Sequence, residues 1–99
     1  MKRRTVILAP EARADLLKLY DQIADATSPA TAISFVERVE EWCLGFDLAS
    51  ERGYRRDDIL PGLRVAGFEH RLTMAFVVTG EEVTILRFFY GGRDWEQVL

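Results

Sequence analysis

Lysine is scarce in this chain: of thirteen basic residues, only Lys2 and Lys18 are lysines. Histidine and cysteine occur once each, as His70 and Cys43. A single cysteine excludes an internal disulfide. Its place among apolar residues at helical spacing reads as a core position rather than a reactive thiol. A single histidine argues against a histidine-based metal cluster or a cysteine–histidine nucleophile, and His70, beside Arg71, reads as a solvated residue at a strand start. There is no CxxC, HExxH, P-loop, GxGxxG or GxSxG, so neither a metal nor a cofactor is expected. No apolar run approaches the length of a membrane helix. The opening MKRRTVILAPEARAD puts basic residues before an apolar run, as a secretory signal does, but Glu11 and Asp15 interrupt it. The expectation is a cytoplasmic protein without membrane contact. A basic surplus is missing as well. The net charge is −3; from Glu11 to Glu51 nine acids face three bases, and from Arg52 onward seven acids face seven bases. A domain that grips a nucleic-acid backbone normally carries the opposite balance, so sequence-specific DNA binding by this chain is not expected.

What is present fits one soluble domain, residues 1–99, with 48% hydrophobic and 29% charged residues. Residues 5–9, TVILA, predict a strand. Pro10 suits the first turn of a helix over 11–25, with Ala12, Leu16, Leu19, Tyr20 and Ile23 at helical spacing. Ser28 and Pro29 start a second helix, whose predicted buried stripe is Ile33, Val36, Val39, Cys43 and Phe46. The short link between the helices implies an antiparallel hairpin. SERGYRRDDILP, 50–61, reads as a surface loop, with Asp57-Asp58 a surface charge cluster rather than metal ligands. Three strands follow, at 62–68, 70–79 and 83–90. In the second, Leu72, Met74, Phe76 and Val78 share a face. In the last, strict alternation puts Thr84, Leu86, Phe88 and Tyr90 on one face and Val83, Ile85, Arg87 and Phe89 on the other. The fold class is therefore α+β, in the order β-α-α-β-β-β. A small, mostly antiparallel sheet carries the N-terminal helical hairpin on one face. The other face has only the C-terminal segment to cover it.

The chemistry left over is arginine and aromatic. If the later strands pair as neighbours, Arg64, Arg87 and Arg93 approach one end of the sheet, where guanidinium groups read carboxylates or phosphates. The plain alternative is that each caps a helix or pairs with an acid. In RFFYGGRDWEQ the aromatics complete the core and Gly91-Gly92 lets the chain leave the sheet sharply. Asp94 then caps a last helical turn that Trp95 tucks against the sheet. The candidates for engaging a target are Arg64, Arg87, Tyr90, Arg93, Asp94 and Trp95. Leu16, Leu19, Tyr20, Ile23 and Ile33, along the hairpin, are candidates for binding a partner's amphipathic helix or added strand; each is equally well read as plain core.

The element order, LAPEARADLLKLYDQIA near the start, GYRRDDILPGLRV in the middle and LRFFYGGRDW at 86–95 together resemble the ParE branch of the ParE/RelE toxin superfamily, over nearly the whole chain. The resemblance implies a RelE/ParE-like fold and the toxin of a type II toxin–antitoxin pair, of the kind associated with plasmid stabilisation. It implies a ParD-like antitoxin as partner, and DNA gyrase as the target, poisoned without catalysis so that replication stops. The alternative within the superfamily is a RelE-type, ribosome-dependent mRNA endonuclease, whose site is built from basic residues with a tyrosine or histidine near the chain end. Tyr90 stands where ParE-like chains often have histidine, which keeps that alternative open. Arg64 is shared by both branches. Lys2 and Lys18 lie away from the implied site, and the acidic balance argues against docking on ribosomal RNA. A toxin that has lost its activity but still binds its antitoxin is a third reading.

Overall fold

Pro10 and Pro29 each open a helix, a position where the missing N–H is not needed. The computed structural model describes residues 2–91 and 95–99. It places β1 at Thr5–Leu8, α1 at Pro10–Ala26 and α2 at Pro29–Leu44, followed by a 3-10 turn at Gly45–Asp47. Then come β2 at Tyr54–Arg55, β3 at Leu63–Phe68, β4 at Leu72–Val78, β5 at Glu82–Tyr90 and a second 3-10 turn at Trp95–Gln97. The Ser28 hydroxyl accepts the Thr31 amide at 3.1 Å, the cap expected of it. The five strands lie in the order β1-β5-β4-β3-β2. β1 runs parallel to β5 and every other pairing is antiparallel. The helical hairpin covers one face. Its buried residues Ala12, Leu16, Leu19, Phe35, Val39 and Cys43 meet Leu72, Met74, Phe76, Val83, Ile85 and Phe88 from the sheet. The α+β class and the element order are as the sequence implies.

Four local readings change. The buried stripe of α2 is Ala32, Phe35, Val39 and Cys43, while Ile33 is 49% exposed and Val36 half-buried. Phe35 turns the helix this way: its ring packs 6.0 Å from Phe68 and 6.1 Å from Tyr90, against the sheet. In β5, Leu86 is an extra residue, because Ala75 faces Arg87 while Phe76 faces Ile85. This bulge reverses the alternation. Phe88 and Tyr90 join Val83 and Ile85 under the helices, and Phe89 goes to the opposite face with Leu86. The loop at 50–61 contains β2, whose two exposed residues pair with Val65 and Arg64. Gly53 makes that approach possible: at φ +68 its Cβ would collide with the Val65 carbonyl. Finally, β4 begins at Leu72 rather than at residue 70. Glu69 and His70 instead form the turn, both left-handed (φ 50 and 57), with Glu69 gripped by Arg38 at 2.9 and 3.0 Å.

β1 ends level with Ile85, whereas β5 continues to Tyr90. Along this uncovered edge Asp15 of α1 takes the place of a strand. Its carboxylate accepts the Phe88 amide at 2.9 Å and the Arg87 guanidinium at 2.7 and 3.1 Å. The Asp15 side chain is 12% exposed and that of Arg87 26%. The hydrogen bond that Arg87 donates to Asp15 is the main reason its pKa is raised. Asp15→Ala should destabilise the fold by about 2–4 kcal/mol, since it leaves a guanidinium and an amide half-buried without an acceptor. A melting temperature within a degree or two of wild type in a thermal scan would show that the clasp does not hold helix to sheet.

Candidate functional site

On the face away from the helices, Leu63, Val65, Ala75 and Phe89 form a second, smaller core covered by Ile59, Leu86 and Trp95. Tertiary packing rather than a regular helix places Trp95: its ring lies 6.3 Å from that of Phe89. The Arg56 guanidinium sits 5.2 Å over Trp95, and Arg87 sits 5.2 Å over Phe89. Two arginines thus flank a half-buried Trp95, which lies over the buried Phe89. Both cations are already matched by acids. Arg56 holds Asp58 and Glu96, each at 2.9 Å, and Arg87 holds Asp15. Arg55 beside them holds Asp57 through two bonds. The Arg–x–Asp spacing in YRRDD is the signal for these pairs: each acid sits two residues after its arginine, in the turn by which the chain leaves β2.

Asp57 does more than neutralise Arg55. It also accepts the Gly62 amide at 2.8 Å, closing the loop that leads into β3. These two partners, Arg55 first, hold its carboxyl down at about 2.

The six target-engaging candidates are not one cluster. Trp95 and Arg87 lie on the outer face. Tyr90 points under the helices, edge-on to Phe35. Arg64 pairs across the sheet with Phe76, so it belongs to the helix side, and its guanidinium reaches the Arg52 carbonyl at 3.3 Å. Arg64 and Arg87 therefore do not converge. Arg93 and Asp94 lie outside the described residues. Arg56, which lies over Trp95, was not among the target candidates. A sequence cannot show which loop arginine will stack on a distant tryptophan.

The hairpin side has a groove of about 420 Å³ lined by Leu8, Leu16, Leu17, Tyr20 and Val36, with Arg13 and Glu40 at its rim. Of the partner-binding candidates, Leu16 and Tyr20 line it, Leu19 and Ile23 belong to the core, and Ile33 is exposed. Leu17, 71% exposed, and Leu44, 66% exposed, flank the groove and its smaller extension. Both escape sequence reasoning because they fall off the buried stripe. Cys43 lies at the bottom of that extension, its sulfur 3.8 Å from that of Met74. Burial first, and Glu40 second, push its thiol up to about 12, which makes it an unreactive core residue. Among the described residues no group of three or more histidines, cysteines and acids could hold a metal, and no helix is long and apolar enough to cross a membrane.

Asp57 yields a pH prediction. Its folded pKa lies below the usual carboxylate value, so its contribution to loop stability is complete above about pH 4 and fades as pH falls through about 2. Carboxyl NMR titration should place it near 2, and Arg55→Gln should move it upward. An unchanged titration in that variant would mean the Arg55 pair does not form.

Comparison with known proteins agrees with this geometry. The family described as ParE toxin of type II toxin–antitoxin system, parDE, matches residues 6–95. A solved structure titled as the chromosomal ParDE system from P. aeruginosa superposes with a TM-score of 0.78 at 26% identity, covering 89% of this chain and 96% of that one. The RelBE2 toxin–antitoxin complex from Mycobacterium tuberculosis superposes at 0.64 with 21% identity, covering 90% and 99%, a likeness of fold. No curated protein matches in sequence.

Proposed function

This chain belongs to the ParE toxin family of type II toxin–antitoxin systems, and from that premise we propose that it inhibits DNA gyrase by binding, without catalysis, in the cytoplasm. A ParD-like antitoxin neutralises it. The observation that carries the non-catalytic reading is the state of the arginines. RNA cleavage by 2′-oxygen attack needs a base, an acid and free cations around one phosphate. Here Arg55, Arg56 and Arg87 are each bound to carboxylates, and Arg64 and Tyr90 lie on the opposite side of the sheet from Trp95. An outer face of Trp95 between charge-matched arginines suits a protein surface, where tryptophan and arginine supply much of the binding energy. Gyrase as the target rests on the family. The ribonuclease reading keeps one point in its favour, the structural likeness to the RelBE2 complex.

We place the antitoxin on the hairpin groove. The P. aeruginosa neighbour is a ParDE system, and an apolar trough between helices takes the nonpolar face of a partner helix. Leu17 is exposed, so Leu17→Glu should leave the melting temperature unchanged and weaken antitoxin binding about tenfold or more. Titration calorimetry showing wild-type affinity would remove the groove from the interface. For the target, purified toxin should inhibit gyrase supercoiling and trap cleaved DNA. A folded protein that does neither contradicts the gyrase reading, and cleavage of mRNA on programmed ribosomes would then establish the ribonuclease.

A further inference from the structure

Where the chain enters β1, Lys2, Arg4 and Arg52 line a hollow of about 320 Å³ together with Ala49, Ser50 and Glu51. Its two guanidinium groups differ from those that carry ion pairs. Arg3, Arg38, Arg55, Arg56 and Arg87 each face a carboxylate within 3.2 Å. Arg4 and Arg52 have no carboxylate oxygen within 4.0 Å among the described residues and are held by backbone carbonyls instead, although Glu81 lies near enough to Arg4 to feel its charge. Arg4 spends its Nε on the Thr79 carbonyl at 2.8 Å, so its two terminal nitrogens stay unbonded within the described chain. Arg52 gives Nε to Ala49 at 2.8 Å and one terminal nitrogen to Gly45 at 2.6 Å and Leu48 at 3.2 Å, leaving the other terminal nitrogen unbonded. The Phe46 ring, 4.6 Å below, completes its seat. A guanidinium fixed in this way keeps its remaining donors aimed before any ligand arrives. Lys2 reaches Glu81 at 2.8 Å across solvent-exposed side chains, a weak pairing that an incoming anion can compete with.

We propose that this hollow binds a phosphate-class dianion, such as a diphosphate or the end of a phosphomonoester. Two arginines, joined by Lys2 when it releases Glu81, against one lining acid, Glu51, suit a doubly charged group. The setting also limits the size of the ligand. The chain as a whole carries −3, so a long polyanion would meet repulsion from the acidic helices where a compact dianion would not. The site is separate from the Trp95 face and from the hairpin groove, and it does not depend on which target the toxin engages.

Inorganic pyrophosphate is the probe. Calorimetric titration of the full chain at constant ionic strength should show saturable one-to-one binding. Arg4→Gln should weaken it about tenfold, the effect of losing one charge-assisted contact. Lys2→Gln should weaken it by a smaller factor, and because Lys2 touches only Glu81 this variant decides the matter if Arg4→Gln lowers the melting temperature. No saturable heat, or wild-type affinity in both variants, overturns the proposal.

Discussion

One carboxylate joins the two layers of this protein. Asp15 accepts a guanidinium and a strand amide together, so helix α1 is bonded to β5 where β1 has run out. The Leu86 bulge makes the arrangement possible. With strict alternation, Arg87 would project under the helices and Phe88 into solvent. One extra residue puts Phe88 into the main core and leaves Arg87 at the edge, within reach of Asp15. The clasp helps to set how the hairpin lies on the sheet, with the groove on one side and the Trp95-covered second core on the other.

The charge pattern follows a single rule over most of the surface: arginine is placed beside an acid or against a ring. Such pairs contribute little stability when exposed, but they decide what the surface can bind. A neutralised guanidinium lying flat on an aromatic ring still offers a large, rigid contact area to a protein, and it offers far less to a phosphate. In the hollow at Lys2, Arg4 and Arg52 the ring remains, Phe46 under Arg52, but backbone carbonyls rather than carboxylates hold both arginines, without cancelling their charge.

Much of the fold was legible in the sequence. Both prolines, the Ser28 cap and the alternation of Leu72, Met74, Phe76 and Val78 are local signals, and each element they mark is present. What escaped depended on distant partners. β2 is two exposed residues with no periodicity of their own, and its place is set by Gly53 passing close to Val65. The bulge at Leu86 is invisible because LRFF alternates acceptably in either phase. Phe35 displaced Ile33 from the buried stripe through rings on β3 and β5. At the candidate site the residue types could be named in advance, but not their faces. Arg64 and Arg87 sit near one level of the sheet and point to opposite sides, a difference that one inserted residue controls.

The parallel pairing of β1 with β5 ties residues 5–8 to residues 82–85. The first strand made during synthesis therefore has no partner until the last one has left the ribosome. Contacts between segments so far apart in sequence form late and close a long loop when they do. Without β5, β1 stays unpaired and the Asp15 clasp has neither its guanidinium nor its amide. A polypeptide without β5 thus lacks both the strand that joins β1 to the rest of the sheet and the partners that anchor α1 through Asp15.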